Sequence, residues 1–128
     1  MHTFFRLLLT SDTHVVVQLT APVESGVRKA HTYMPTAEAP SVSFSSSSSS
    51  AAAGPPVTLR LVRQTWQAAE QATVSTLELV AGGSPVKQVT HVYFAGWKDK
   101  GVPEGRDGLE TLLRCACCLP AASPAPRR

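Results

Sequence analysis

Few groups in this sequence are placed to do chemistry, and they lie far apart. The stretch Trp97-Lys98-Asp99-Lys100-Gly101-Val102-Pro103 sets one carboxylate between two lysines, just after a strand-like run ending in Tyr93-Phe94. A held carboxylic acid can protonate a leaving group and then take a proton from water, worth typically about 10²–10⁴-fold in rate. By residue type alone, however, a lone aspartate between lysines in a Gly/Pro turn is most simply a solvated turn residue. Glu24 and Lys29 are, on the same footing, ordinary loop charges. The three cysteines sit together as Cys115-Ala116-Cys117-Cys118. Cys115 and Cys118 have the C-x-x-C spacing of a zinc half-site, but no second pair completes it, and the histidines (His2, His14, His31, His91) are scattered. The cysteines read as small apolar fillers on a helix, with no metal and no cofactor expected.

The elements that must hold these groups come from 128 residues, enough for one small domain. Charged residues make up only 16% and ten prolines are present, which suggests a globular part diluted by low-complexity sequence. The net charge of +3 is mild, and the basic residues form no dense block, which argues against a nucleic-acid partner. No run approaches the roughly 20 apolar residues a membrane helix needs. Arg6 breaks the apolar start, and there is no basic leader, so no signal peptide is read and a cytoplasmic location is the default expectation.

Residues 40–56 (PSVSFSSSSSSAAAGPP) read as a disordered low-complexity insertion, and 120–128 (PAASPAPRR) as a disordered Pro-rich tail. Phe4–Leu9 reads as a short helical turn or the entry to a strand. Thr13–Thr20 carries Val15-Val16-Val17 and Leu19, the mark of a strand buried on both faces, expected near the middle of a sheet. Ala21–Lys29 reads as a loop punctuated by Pro22 and Gly26. Val57–Thr65 alternates like a half-exposed strand, with Trp66 half covering the core. Val74–Val80 and Val86–Phe94, joined by the turn Ala81–Pro85, read as an antiparallel hairpin. Asp107 and Glu110 form an acidic capping box ahead of Leu109, Leu112, Leu113 and Ala116 at helical spacing, and Pro120 stops that helix.

Taken in order, several of these stretches resemble the tyrosine-specific, cysteine-dependent protein phosphatases. One is Thr73-Val74-Ser75-Thr76-Leu77-Glu78-Leu79, followed by Val89-Thr90-His91-Val92-Tyr93-Phe94 and then the Trp97–Pro103 loop. Upstream, Val15-Val16-Val17-Gln18-Leu19-Thr20 precedes Glu24-Ser25-Gly26-Val27-Arg28-Lys29 and Tyr33-Met34-Pro35, in the order and spacing of that family. The resemblance covers residue 4 to about 115. It implies an α/β fold, a partial phosphatase domain over 1–119 with a twisted mixed sheet flanked by helices. The implied reaction is hydrolysis of phosphotyrosine in proteins through a phosphocysteine. Asp99 would be the general acid, protonating the phenolate and then activating water. Trp97 would anchor the loop by packing, Gly101 would give it freedom to swing, and Pro103 would close the motif. Glu24 would orient the phosphate-binding arginine, and Lys29 would pair with the acid on closure. The partner would be a phosphotyrosine-containing protein.

Two departures bear on activity. Lys98 stands where the family has proline, which loosens the loop and favours the ionised form of Asp99, a poorer acid near neutral pH. The family's nucleophile loop, His-Cys, five residues, then Arg, is missing. The residues six beyond Cys115, Cys117 and Cys118 are Ala121, Ser123 and Pro124. The chain therefore reads as part of a phosphatase, inactive alone. The alternatives are a non-catalytic phosphatase-like binding module and an accidental resemblance in an unrelated small α/β or β-rich protein.

Overall fold

A computed structural model describes residues 1–45, 54–68, 71–94, 97, 101–102, 110, 112–114 and 117. The chain opens with helix α1 (His2–Thr10). Phe5 and Leu8, one helical turn apart, are its buried residues, so the segment is a full helix rather than a turn or strand entry. Lys87 Nζ donates to the Leu8 and Ser11 carbonyls at 3.0 and 2.6 Å, placing a cation where the helix leaves carbonyls unpaired.

Among the described residues seven strands follow: β1 (Val15–Gln18), β2 (Val23–Glu24), β3 (Val27–Arg28), β4 (Ser41–Phe44), β5 (Val57–Gln67), β6 (Ala72–Ala81) and β7 (Ser84–Phe94). Five form one sheet in the order β1-β7-β6-β5-β4, and β2 with β3 forms a separate hairpin. Among the described residues only the β1–β7 pairing in the large sheet is parallel, so the sheet is mixed as the resemblance implies. The β6–β7 hairpin turns tightly at Gly82 and Gly83, whose φ values of 60° and 80° suit the twist of a two-residue hairpin loop.

Both sheet faces are covered. On one, α1 places Phe5 and Leu8 against Val57, Leu59, Leu77, Leu79 and Val89. On the other, Ala72, Val92 and Phe94 pack with Leu112, one of the helical residues near the chain's end. The Val15–Val17 run serves both faces: Val16 joins the first cluster, Val15 and Leu19 the second. The expectation that this strand is central is not met. Among the described residues β1 is an edge, and Val17 is 38% exposed. A continuous apolar run reports what lies above and below a strand, not which neighbours it has in the plane.

Three other expectations are corrected. The start of the Ser-rich stretch is strand β4, not insertion: Val42 and Phe44 alternate with serines and pair with Leu59 and Val57, and Phe44 stacks on Phe5 with centroids 4.5 Å apart. The Ala21–Lys29 stretch is not a loop throughout but contains the β2–β3 hairpin. Trp66 is 57% exposed rather than half covering the core, because β5 runs on past the part of the sheet that α1 covers. Residues 46–53, Asp107 and the tail 120–128 lie outside the described residues.

Candidate active site

Strands β1 and β7 run side by side in the same direction, with Val15 opposite Thr90 and Gln18 opposite Tyr93. Their C-terminal ends therefore lie at one end of the sheet. Each strand then leads into candidate residues: β1 into Glu24 and Lys29, and β7 into Trp97. The C-terminal ends of parallel strands are where open α/β sheets bind their ligands.

The first segment is tightly built. The Lys29 backbone N–H donates to the Pro22 carbonyl at 2.8 Å, closing the base of the β2–β3 hairpin. Glu24 pairs with Val27 across it. At its tip Ser25 and Gly26 have φ values of 50° and 76°, the left-handed pair that a two-residue turn demands. Glu24 is half-buried and Lys29 exposed, while Val23 and Val27 face outward.

In the second segment Trp97 packs against the Ala72, Val92, Phe94 and Leu112 cluster. Its indole Nε1 donates to the Gly101 carbonyl at 3.0 Å. One side chain thus links the core to both flanks of residues 98–100. Gly101 and Val102 are exposed. Asp99, Lys98 and Pro103 lie outside the described residues.

Beneath these segments lies a polar chain that sequence reasoning assigned no role. The Tyr33 hydroxyl donates to Gln18 Oε1 at 3.2 Å and lies 2.9 Å from His91 Nε2, and Gln18 Nε2 donates to the Thr20 carbonyl at 2.8 Å. All three contacts are satisfied when His91 carries its proton on Nε2 and donates to Tyr33, leaving Nδ1 as a bare lone pair. His91 is buried, and burial lowers its pKa to about 4. Burial also pushes the Tyr33 phenol up, which keeps its proton in place as a donor. Tyr33 and His91 each stood inside a sequence motif, but nothing local linked two residues 58 positions apart.

Among the described residues no three His, Cys, Asp or Glu side chains gather to hold a metal. Cys117 is exposed and unbridged, and Cys115 and Cys118 lie outside the described residues. No helix among the described residues is long and apolar enough to cross a membrane.

The sequence profile of the protein-tyrosine phosphatase family matches residues 1–118. No curated protein matches the chain. Among solved structures, the chain is similar to the Trypanosoma brucei protein tyrosine phosphatase TbPTP1, with 27% identity and a TM-score of 0.75 over 94% of this chain and 40% of that one. The Trypanosoma cruzi phosphatase TcPTP1 is similar at 25% identity and a TM-score of 0.74, over 96% of this chain and 41% of that one. PTPN18, in a structure concerned with HER2 tyrosine phosphorylation sites, shares the fold at 19% identity and a TM-score of 0.72, over 97% of this chain and 39% of that one. The chain spans about two fifths of the length of these neighbours.

Proposed function

Because the chain belongs to the protein-tyrosine phosphatase family, we propose that it is the general-acid part of a phosphotyrosine-hydrolysing site. In this reading Asp99 protonates the departing tyrosine oxygen and then activates the water that clears the phosphocysteine. Trp97 anchors the loop, Gly101 lets it swing, and Pro103 ends it. Glu24 orients the arginine that grips phosphate, and Lys29 meets the acid when the loop closes. Residues 1–119 form the partial domain and 120–128 a tail. The substrate class is a phosphotyrosine-bearing protein, in keeping with the phosphorylation sites named for the PTPN18 structure.

The observation that supports this reading best is the parallel β1–β7 register, which puts the C-terminal ends of the strands preceding Glu24 and Trp97 at one end of the sheet. A carboxylic acid alone does not cleave a phosphate ester at this rate; the thiolate must come from a Cys-x5-Arg loop, which these 128 residues lack. The chain by itself is therefore inactive.

Two measurements test this. Phosphate release from a phosphotyrosine peptide by the 128-residue chain should stay at background. Sequencing of the full-length transcript should reveal an in-frame His-Cys-x5-Arg beyond the last helix, and Asp99→Asn in its product should lower kcat by about 10²–10⁴-fold. Activity of the short chain, or an Asp99→Asn product with unchanged kcat, would defeat the assignment.

A further inference from the structure

Apolar packing does not anchor the hairpin that carries Glu24. Among the described residues neither apolar cluster draws a member from 21–30, and Val23 and Val27 are each 57% exposed. A gap of about 30 Å³ remains at its base, beside Gln18, Pro22, Thr32 and Met34. Hydrogen bonds meet the segment there instead. Where the chain leaves β1, Gln18 Nε2 donates to the Thr20 carbonyl at 2.8 Å. Where it returns, the Tyr33 hydroxyl donates to Gln18 Oε1 at 3.2 Å, across 15 positions of chain. One glutamine therefore closes the neck of the whole segment, below the inner closure between the Lys29 N–H and the Pro22 carbonyl. The neck is in turn fixed to the sheet. The Tyr33 hydroxyl lies 2.9 Å from Nε2 of His91, a buried residue of β7 opposite Val16.

We propose that Gln18, Tyr33 and His91 are positioning residues, which set the angle of the Glu24–Lys29 hairpin against β7. This role rests on the phosphatase reading, in which Glu24 and Lys29 belong to the site. The three bonds run one way: His91 Nε2–H to the Tyr33 oxygen, the Tyr33 hydroxyl to Gln18, and the Gln18 amide to Thr20. Bonds chained in this sense polarise and strengthen one another. The aromatic ring and the hydroxyl of Tyr33 divide the work. The ring lies against Phe4 and Phe5, with centroids 6.3 and 5.9 Å apart, and edge-on to His91 at 5.8 Å. Those contacts fix where Tyr33 sits. The hydroxyl, through Gln18, fixes how the neck is held. A neck free to rock would carry Glu24 with it, and a displacement of about 1 Å at a reacting site can cost about 10²-fold in rate.

The test is NMR of the isotopically labelled 128-residue chain at neutral pH, reading amide residual dipolar couplings of residues 22–29 against those of β6 and β7. Three variants separate hydrogen bonding from packing. Tyr33→Phe keeps the ring contacts and removes the hydroxyl. Gln18→Met fills the space with an apolar stem and removes both bonds. Gln18→Glu keeps an oxygen for Tyr33 and loses only the donor to Thr20. In Tyr33→Phe and Gln18→Met the couplings of 22–29 should shrink by one common factor, the mark of a hairpin rocking as a unit, while β6 and β7 keep theirs. Gln18→Glu should restore part of that loss. A packing role gives the reverse order, with Met harmless and Glu harmful. Unchanged couplings in both Tyr33→Phe and Gln18→Met, a hairpin looser in Gln18→Glu than in Gln18→Met, or a loss shared equally by β6 and β7 would each overturn the proposal. The readout involves no catalysis, so such a failure leaves the role of Asp99 standing, and an unchanged kcat in Asp99→Asn leaves the hairpin result standing.

Discussion

The Tyr33 hydroxyl lies 2.9 Å from Nε2 of His91, joining the segment after the β2–β3 hairpin to the middle of β7. The contact ties the Glu24-bearing side of the candidate site to the strand that leads into Trp97. Its chemistry makes it sensitive to acid. Unfolded, an imidazole takes its proton near pH 6.5, whereas burial holds His91 neutral down to about pH 4. Between those values the unfolded chain binds more protons, so stability present above pH 6.5 is lost as pH falls. The full loss is about 3 kcal/mol by pH 4. Urea unfolding at pH 7.5, 5.5 and 4.5 should show this decline, and a pH-independent midpoint would contradict it.

Tyr33→Phe removes the hydroxyl that His91 and Gln18 share. A buried imidazole N–H would then lack a partner, at a cost of about 1–3 kcal/mol. The urea midpoint at neutral pH should drop with an unchanged slope. A change below about 0.5 kcal/mol would show that the contact is not made in solution.

The two tryptophans should differ in exchange behaviour. Trp97 donates its indole N–H to Gly101, whereas Trp66 is 57% exposed and makes no side-chain hydrogen bond described in this structure. Hydrogen exchange followed by NMR should find the Trp97 indole proton slow and that of Trp66 fast. Equal rates would mean that the 97–101 link is open most of the time.

Phe44→Ala should destabilise the fold by about 1–3 kcal/mol, because Phe44 stacks on the buried Phe5 and only part of its area is at stake. A neutral result in thermal melts would return residues 41–44 to the low-complexity stretch.

Lys87→Met keeps the aliphatic stem and removes the cation that meets the Leu8 and Ser11 carbonyls. The expected loss is about 1–2 kcal/mol, combining charged hydrogen bonds with the end-charge of α1. Helical signal near residues 7–10 should fray first under hydrogen exchange.

What was legible in the sequence follows the range of each signal. The β6–β7 hairpin was readable because alternation and the Gly82-Gly83 turn are both local. The β1 run was read correctly for its two covered faces and wrongly for its place in the sheet, since sheet order is a long-range property. Strand β4 was hidden because its inward residues, Val42 and Phe44, sit among serines whose composition outweighed their period of two. Trp66 was placed half over the core on residue type, but only the extent of α1 decides which part of β5 is covered. The Glu24, Lys29 and Trp97 positions came from motif order rather than from their own chemistry.

The pairing of Phe44 with Val57 has a consequence for how this chain tolerates change. It fixes both ends of the serine-rich connector as cross-strand neighbours, so the sheet constrains where that connector starts and stops but not how long it is. Doubling the length of such a connector adds only about 0.6 kcal/mol of closure entropy. Changes in length would thus fall on a connection that the β4–β5 ladder leaves open, whereas the pairing of Ala81 with Ser84 holds the turn at Gly82-Gly83 to two residues.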